Sequence, residues 1–426
     1  MQEKKYEQML EFVHSLPWMG KKLGLRQISD LLRRMGNPQD KLKYIHVAGT
    51  NGKGSTSEML ARVLEAAGYK TGLFVSPYIQ RFNERIQVNH RPIADDVLAD
   101  LIEQTKIYAE QMEVMPSEFE LVTAVGFQYF LDMNCDIVVL EVGMGGRLDA
   151  TNIVKTPEAA VITTIGLDHT QYLGGTIREI ALEKAGIIKR DGDVVVYGQD
   201  GDAIDVFKEV CEERSANLNI SDFSEIVRQG ESDDYQYFSY KGSDVLALPL
   251  LGEHQLKNAA TALETVFLIN RKGFEISDFA IKTGLCSVAW PGRFEFLSKD
   301  PPVVVDGGHN PEGARAAVDA FKYHFPGKKA IILIGLTAEK DVDGLCRIID
   351  EIASSYIVIQ AENNPRSMKK DVLADLLGGY KKVVFAADTV AGGIEMALGI
   401  RSDDEIVFSI GSLYTVAEVR KYFKKS

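Results

Sequence analysis

Short runs of β-branched and aliphatic residues alternate along most of the chain with longer segments whose apolar positions recur at helical spacing. The runs YIHVAG (44–49), TGLFVS (71–76), DIVVLEV (136–142), AVITTIG (160–166) and DVVVYG (193–198) read as buried strands. Between and after them, STSEMLARVLEAAG (55–68), SEFELVTAVGFQYFLD (117–132) and HQLKNAATALETVFLI (254–269) read as helices. Strands alternating with helices predict an α/β fold with a mainly parallel sheet. Residues 219–248 alternate polar and apolar positions without a helical stripe, which predicts edge strands or a small antiparallel excursion. A second α/β series follows Trp290-Pro291-Gly292-Arg293, with strands expected at VVVDGG (303–308), AIILIG (330–335), YIVIQ (356–360), KVVFA (382–386) and EIVFSI (405–410). Pro291-Gly292 and Pro301-Pro302 punctuate the passage. The pattern predicts two domains, a P-loop α/β domain over 1–295 and a smaller Rossmann-like α/β domain over 296–426.

Composition narrows the partners. The 426 residues carry 48 Lys+Arg against 61 Asp+Glu, a formal net charge of −13. An acidic chain is a poor binder of nucleic acid or anionic membrane, since both need a basic surface. Cys135, Cys211, Cys286 and Cys346 lie far apart, in no zinc-ligand or disulfide spacing, which suits a reducing cytosol. The start, MQEKKYEQML, has no apolar core of a secretory signal, and the longest apolar stretches are strand-sized. A cytoplasmic monomer is expected.

Candidate chemistry gathers at strand ends. Gly49-Thr50-Asn51-Gly52-Lys53-Gly54-Ser55 lies between YIHVA and a helix. Glycines let main-chain N–H groups curl around an anion, and the helix N-terminus adds partial positive charge. Lys53 is placed to reach the outer phosphates, and the Ser55 hydroxyl to face Mg²⁺. The strict GxxxxGK[ST] spacing is not met, because Val47 holds the first glycine position and Gly54 separates Lys53 from Ser55. Ser76 closes LFVS, Glu141 ends DIVVLE, and His169 follows AVITTIG. In an open parallel sheet these ends share one rim, where a hydroxyl, a carboxylate and an imidazole suit metal binding. Each also has a plain structural reading, as a turn residue, a capping carboxylate and a satisfied loop histidine. Gly143-Met144-Gly145-Gly146 lacks dinucleotide spacing and is expected to form a flexible loop lining the phosphate cleft.

Eight ordered blocks together resemble the folylpolyglutamate synthase family, with its bifunctional dihydrofolate synthase members, in the Mur ligase superfamily. They are HVAGTNGKGS (46–55), SPYIQRFNERI (76–86), SEFE (117–120), EVGMGGRLDATN (141–152), DHTQYLGGTIREIALEKAGIIK (168–189), GEHQLKNA (252–259), PGRFE (291–295) and DGGHNPEG (306–313). The resemblance implies ATP-dependent ligation of L-glutamate to folate through an acyl phosphate, extending in bifunctional members to dihydropteroate. It implies ATP as co-substrate and two Mg²⁺, with Ser76, Glu141 and His169 as metal ligands. Residues 49–55, Asn258, Arg293 and Asp306 would bind ATP. Ser117, Phe119, Glu120, Asp149 and Ala150 would line the pterin pocket, while His309 and Ser412 would face the cleft and the incoming glutamate. Lys184 matches a lysine that family members carry as a carbamate; without the block it would read as a helix-surface lysine. Ser76-Pro77-Tyr78 and Ser117-Glu118-Phe119-Glu120 depart from the family's Ser-Pro-His and Thr-x-Phe-Glu, which puts pterin selectivity in question while keeping both hydroxyls. Two alternatives stay open: another Mur-type amino-acid ligase, for whose extra sugar-nucleotide domain the stretch before Gly49 is too short, and a P-loop switch.

Overall fold

The apolar runs pair into two largely parallel sheets in a computed structural model that describes residues 2–18, 24–199, 201–232, 234–337, 341–361 and 366–425. The first sheet takes β1 (Tyr44–Ala48), β2 (Thr71–Phe74), β3 (Ile86–Val88), β4 (Arg91–Pro92), β5 (Ile137–Glu141), β6 (Ala159–Ile162), β7 (Asp193–Val196) and β8 (Asn217–Ile220). Their spatial order is β4-β3-β2-β5-β1-β6-β7-β8, with β3 and β4 antiparallel. Every residue of β1 and β5 is buried. Such strands must be apolar on both faces, because helices cover both sides of a parallel sheet. Ile45, Val47, Ile137 and Val139 pack with Met59, Leu60, Leu263 and Leu285 of the helices Lys53–Ala66, Glu253–Arg271 and Asp278–Cys286. The alternate residues Tyr44, Val138 and Leu140 pack on the other side with Leu121, Val125 and Leu98 of the helices Glu118–Asp132 and Asp95–Ala109.

The expected excursion is a three-stranded antiparallel sheet of β9 (Ile226–Glu231), β10 (Gln236–Tyr240) and β11 (Leu246–Leu248). The second α/β domain is built on β12 (Glu295–Lys299), β13 (Pro302–Asp306), β14 (Lys329–Ile334), β15 (Ala353–Val358), β16 (Val383–Ala386) and β17 (Glu405–Ile410). Their order is β12-β13-β17-β14-β15-β16, with β12 alone antiparallel. Among the described residues no helix is long and apolar enough to cross a membrane.

Topology places the site. The chain leaves β1 for β2 and β5 on one side and for β6 and β7 on the other. That reversal opens a crevice at the carboxyl ends of the strands. Asparagine side chains close it from the second domain: Asn310 Nδ2 donates to Asn51 Oδ1 at 3.0 Å, and Asn51 Nδ2 returns to Asn310 Oδ1 at 3.3 Å.

Candidate active site

The turn after β1 is forced by its neighbours. Gly52 has φ 84°, and a Cβ there would lie 2.6 Å from Asn258 Oδ1, so only glycine fits. The loop is braced from behind by the residues after β6. Thr50 N donates to Thr164 O at 2.6 Å, and Thr163 Oγ1 donates to Asn51 O at 2.7 Å. Lys53 opens the helix Lys53–Ala66, and its Nζ donates to Gly49 O and Thr50 O, both at 3.1 Å. The unused N–H groups of that first turn, a positive helix end and an ammonium face one space.

That space is a cavity of about 520 Å³ between the domains. Thr50, Asn51, Gly52, Lys53, Gly54, Ser55, Asn258, Arg293, Asp306, Ser76, Glu141 and His309 all line it. Gly49 does not; it lies behind the loop, where its carbonyl accepts from Lys53 and Lys184. Burial pushes the Asp306 carboxyl up, and the Arg293 guanidinium opposes the shift. Asp306 also accepts from Phe294 N at 2.8 Å and Gly308 N at 2.7 Å, which fixes the turn leading to His309.

A second cavity of about 340 Å³ is lined by Ser76, Ser117, Phe119, Glu120, Asp149, Ala150, His169, His309 and Ser412. Apolar side chains such as Trp18, Val122, Leu148 and Leu173 share its wall. Two of the polar residues hold the wall's shape. Ser117 and Glu120 form a capping box, with Ser117 N donating to Glu120 Oε2 at 2.8 Å and Glu120 N to Ser117 Oγ at 3.3 Å. Asp149 accepts from Met144 N at 2.9 Å and from Thr151 Oγ1 at 2.6 Å.

The loop 143–149 therefore departs from expectation. It lines this second cavity, not the phosphate cavity. The Asp149 bonds, with the Arg147–Glu183 ion pair at 2.8 Å, draw it across the sheet rim and tie it down.

Ser76, Pro77, His309 and Leu413 line both cavities, so the two meet there. Glu141 stands at this junction, buried, with Oε2 accepting from Ser76 N at 2.9 Å. Burial raises its carboxyl, and Lys53 is the largest opposing influence. His169 enters from the second cavity with φ 50°. The Glu141 carboxylate and the Ser76 hydroxyl are oxygen donors of the kind a hard cation takes, while His169 lines only the second cavity. Among the described residues no group of three His, Cys, Asp or Glu side chains could hold a metal ion, so phosphate oxygens would have to complete the shell.

Lys184 lines neither cavity. It is 4% exposed, and its Nζ donates to Gly49 O at 2.8 Å. Burial, with Lys53 nearby, pulls its pKa down to about 7. Residues not singled out from the sequence also matter here: Asn310, which joins the domains, and Arg85, in the second cavity. Both lie inside recognised blocks, which was the available signal.

Residues 47–266 match the Mur ligase middle domain family, and residues 292–413 match the Mur ligase glutamate ligase domain family. A dihydrofolate synthase/folylpolyglutamate synthase of Bacillus subtilis is 35% identical over 98% of this chain and 99% of its own. A folylpolyglutamate synthase of Lacticaseibacillus casei is 35% identical over 98% of each chain. The crystal structure of Mycobacterium tuberculosis folylpolyglutamate synthase complexed with ADP and AMPPCP superposes with a TM-score of 0.91, at 30% identity over 100% of both chains. Escherichia coli FolC in complex with DHPP and ADP gives 0.86, at 30% identity over 99% of this chain and 98% of that one. The likeness runs along the whole length of the chain, which belongs to the folylpolyglutamate synthase family of the Mur ligases.

Proposed function

We propose that the chain ligates L-glutamate to a folate carboxylate at the expense of ATP. The observation that carries this is the junction at Ser76 and His309, where a cavity of about 520 Å³ that holds the 49–55 loop, Lys53 and Arg293 opens into a second one of about 340 Å³ with polar and apolar walls. ATP in the first cavity would rest its phosphates on the 49–55 loop, with Asn258, Arg293 and Asp306 around it. Folate in the second would lie along Ser117, Phe119, Glu120, Asp149 and Ala150, with its terminal carboxylate at the junction.

A carboxylate oxygen then attacks the γ-phosphorus, the bond to the ADP oxygen breaks, and an acyl phosphate forms. Charge on the transferring group is met by Lys53 and Arg293, fixed before the reaction. The amino group of L-glutamate, entering beside His309 and Ser412, attacks the acyl carbon and expels phosphate. Mg²⁺, held by Ser76, Glu141 and His169, would neutralise phosphate charge when bound. The Asn51–Asn310 bonds hold the second domain over the loop, which keeps water from a hydrolysable intermediate. An amine with a pKa brought down to about 7 has a substantial neutral fraction near physiological pH, the form that adds to CO₂, which supports a carbamate on Lys184. All four cysteines are free thiols, in keeping with a cytosolic enzyme, and we take it to act as a monomer.

The test is ADP release with tetrahydrofolate, with and without L-glutamate, and the mass of the product. A glutamate-dependent rate and a product heavier by one glutamyl residue are expected. Nucleotide hydrolysis indifferent to both acids would return the chain to a P-loop switch.

A further inference from the structure

Arg85 has no part in the chemistry above, yet it occupies a costly position. Its carbonyl accepts Val75 N–H at 3.0 Å, which sets it beside Ser76 at the end of β2. Its side chain is 13% exposed and lines the second cavity. The guanidinium lies 5.2 Å from the ring centre of Tyr78 and 5.3 Å from that of Phe82, contacts that orient it without engaging its N–H groups. Nε is buried with no hydrogen-bond partner. Among the described residues its one ion pair is with Glu118 at 3.9 Å, beyond hydrogen-bond reach, and Glu118 also faces His14 Nδ1 at 3.4 Å. A buried guanidinium with so few acceptors is destabilising unless something else supplies them.

The cavity can supply them. A guanidinium presents its donors as a planar fork that matches a carboxylate, and the apolar wall strengthens the pairing. On the ligase reading, which this inference rests on, the acid in the cavity ends in a glutamate with two carboxylates. The γ-carboxylate must stand at the junction to receive the phosphoryl group. The α-carboxylate, a few bonds back, then needs a partner on the first domain's wall, beside Ser76 and Phe119. Arg85 is the cation beside Ser76; Arg147, on the same cavity's wall, is already paired with Glu183 at 2.8 Å. The second domain offers Ser412, His309 and Arg366, the last donating to Tyr414 Oη at 2.8 Å, so the incoming amino acid has its contacts, a cation included, on the opposite wall.

We propose that Arg85 is a specificity-determining residue that binds the non-reacting α-carboxylate of the folate's terminal glutamate. This contact tells the enzyme which of two similar carboxylates to leave alone.

The experiment compares tetrahydrofolate with its α-carboxamide, in which the γ-carboxylate stays free, using the intact chain and Arg85→Met. The unmodified protein should lose about 10²-fold in kcat/KM on the amide. Arg85→Met should lose a similar factor on tetrahydrofolate and nothing further on the amide, with the KM for L-glutamate unchanged. The thermal shift on adding ADP reports that the variant is folded. If Arg85→Met does not fold, Arg85→Gln takes its place with the same expected values. Equal use of both acids by the unmodified protein overturns the proposal. So does a variant that loses equally on both, or one whose defect lies in the KM for L-glutamate. Turnover of tetrahydrofolate by the unmodified protein tests the ligase reading separately; only its absence would count against that reading.

Discussion

The two cavities that meet at Ser76 are made in different ways. On the proposed function, the phosphate side is built around main-chain groups and one lysine from a single contiguous stretch, 49–55, braced by Thr163 and Thr164, with Asn258, Arg293 and Asp306 added from elsewhere. The acid side is assembled from separate stretches, 76–85, 117–122, 143–150 and 169–173, with Ser412–Tyr414 arriving from the other domain. Its polar residues largely hold one another, as Ser117 does Glu120 and Asp149 does Thr151. The contrast separates two tasks. Holding phosphate starts from a fixed array of donors, most of which a local motif can supply, whereas recognising an organic acid needs a shaped wall that only tertiary structure can make.

The sharpest way to break this division is at Lys53. Its Nζ donates to two carbonyls of its own loop, Gly49 O and Thr50 O, and it lines the cavity, so Lys53→Ala should leave the fold intact. Loss of a fixed charge at a phosphoryl transfer should lower glutamate-dependent ADP release about 10³-fold. Near-normal turnover in the purified variant would mean that the loop's main chain alone does the work.

Lys184 tests the boundary between the regions, because it binds the same Gly49 carbonyl from behind and faces no cavity. If it carries a carbamate, Lys184→Ala should lower kcat about 10²-fold, with partial rescue by formate or acetate. ¹³C-bicarbonate labelling of the unmodified protein should then give a carbamate carbon signal. If Lys184 only props the loop, Lys184→Arg, which keeps a donor for the Gly49 carbonyl, should retain activity and no such signal should appear.

What was legible in the sequence follows the same division. The strands were plain because both faces of β1 and β5 are buried, so apart from His46 and Glu141 their residues are apolar or aromatic without alternation. The phosphate loop was plain because its residues are adjacent. The side on which loop 143–149 falls was not, since that depends on Asp149 reaching Met144 N and Arg147 reaching Glu183. Nor was the use of Asn310, which caps the helix Pro311–His324 through Gly313 N and at the same time reaches Asn51 and Asp168. No spacing in the sequence announces a bond across more than two hundred residues. Arg85 was hidden for a similar reason: its cavity wall comes from the other segments.

Asn310→Ser sharpens the comparison at the seam between domains. Serine keeps a capping oxygen for the helix but cannot reach Asn51. We expect kcat to fall about tenfold while ATP affinity, set by the loop itself, changes little. Equal losses in both would place Asn310 among the direct nucleotide contacts.

The smallest effect concerns His46, which lies under the acid cavity and touches neither space. It is fully buried on β1, with Nε2 2.8 Å from Thr151 Oγ1 and Nδ1 without a partner. Thr151 gives its own proton to Asp149, so the Nε2-protonated tautomer fits the network. Burial, helped by Lys189, lowers the His46 pKa to about 3. The unfolded chain, with an ordinary imidazole near 6.5, therefore binds the extra proton as pH falls below that value. Stability from this residue is fully present above about pH 6.5 and declines as pH drops toward 3. His46→Leu removes that slope while leaving the Thr151–Asp149 bond and the wall it supports. Activity at pH 7 should be nearly unchanged. Urea unfolding at pH 7 should shift by no more than about 1 kcal/mol, since the imidazole leaves one polar atom unsatisfied there. At pH 5 the variant should gain about 2 kcal/mol relative to its own pH 7 difference from the unmodified protein. A parallel pH dependence in the two proteins would show that His46 is charged in the fold, and that the acid-side wall is wetter than its burial implies.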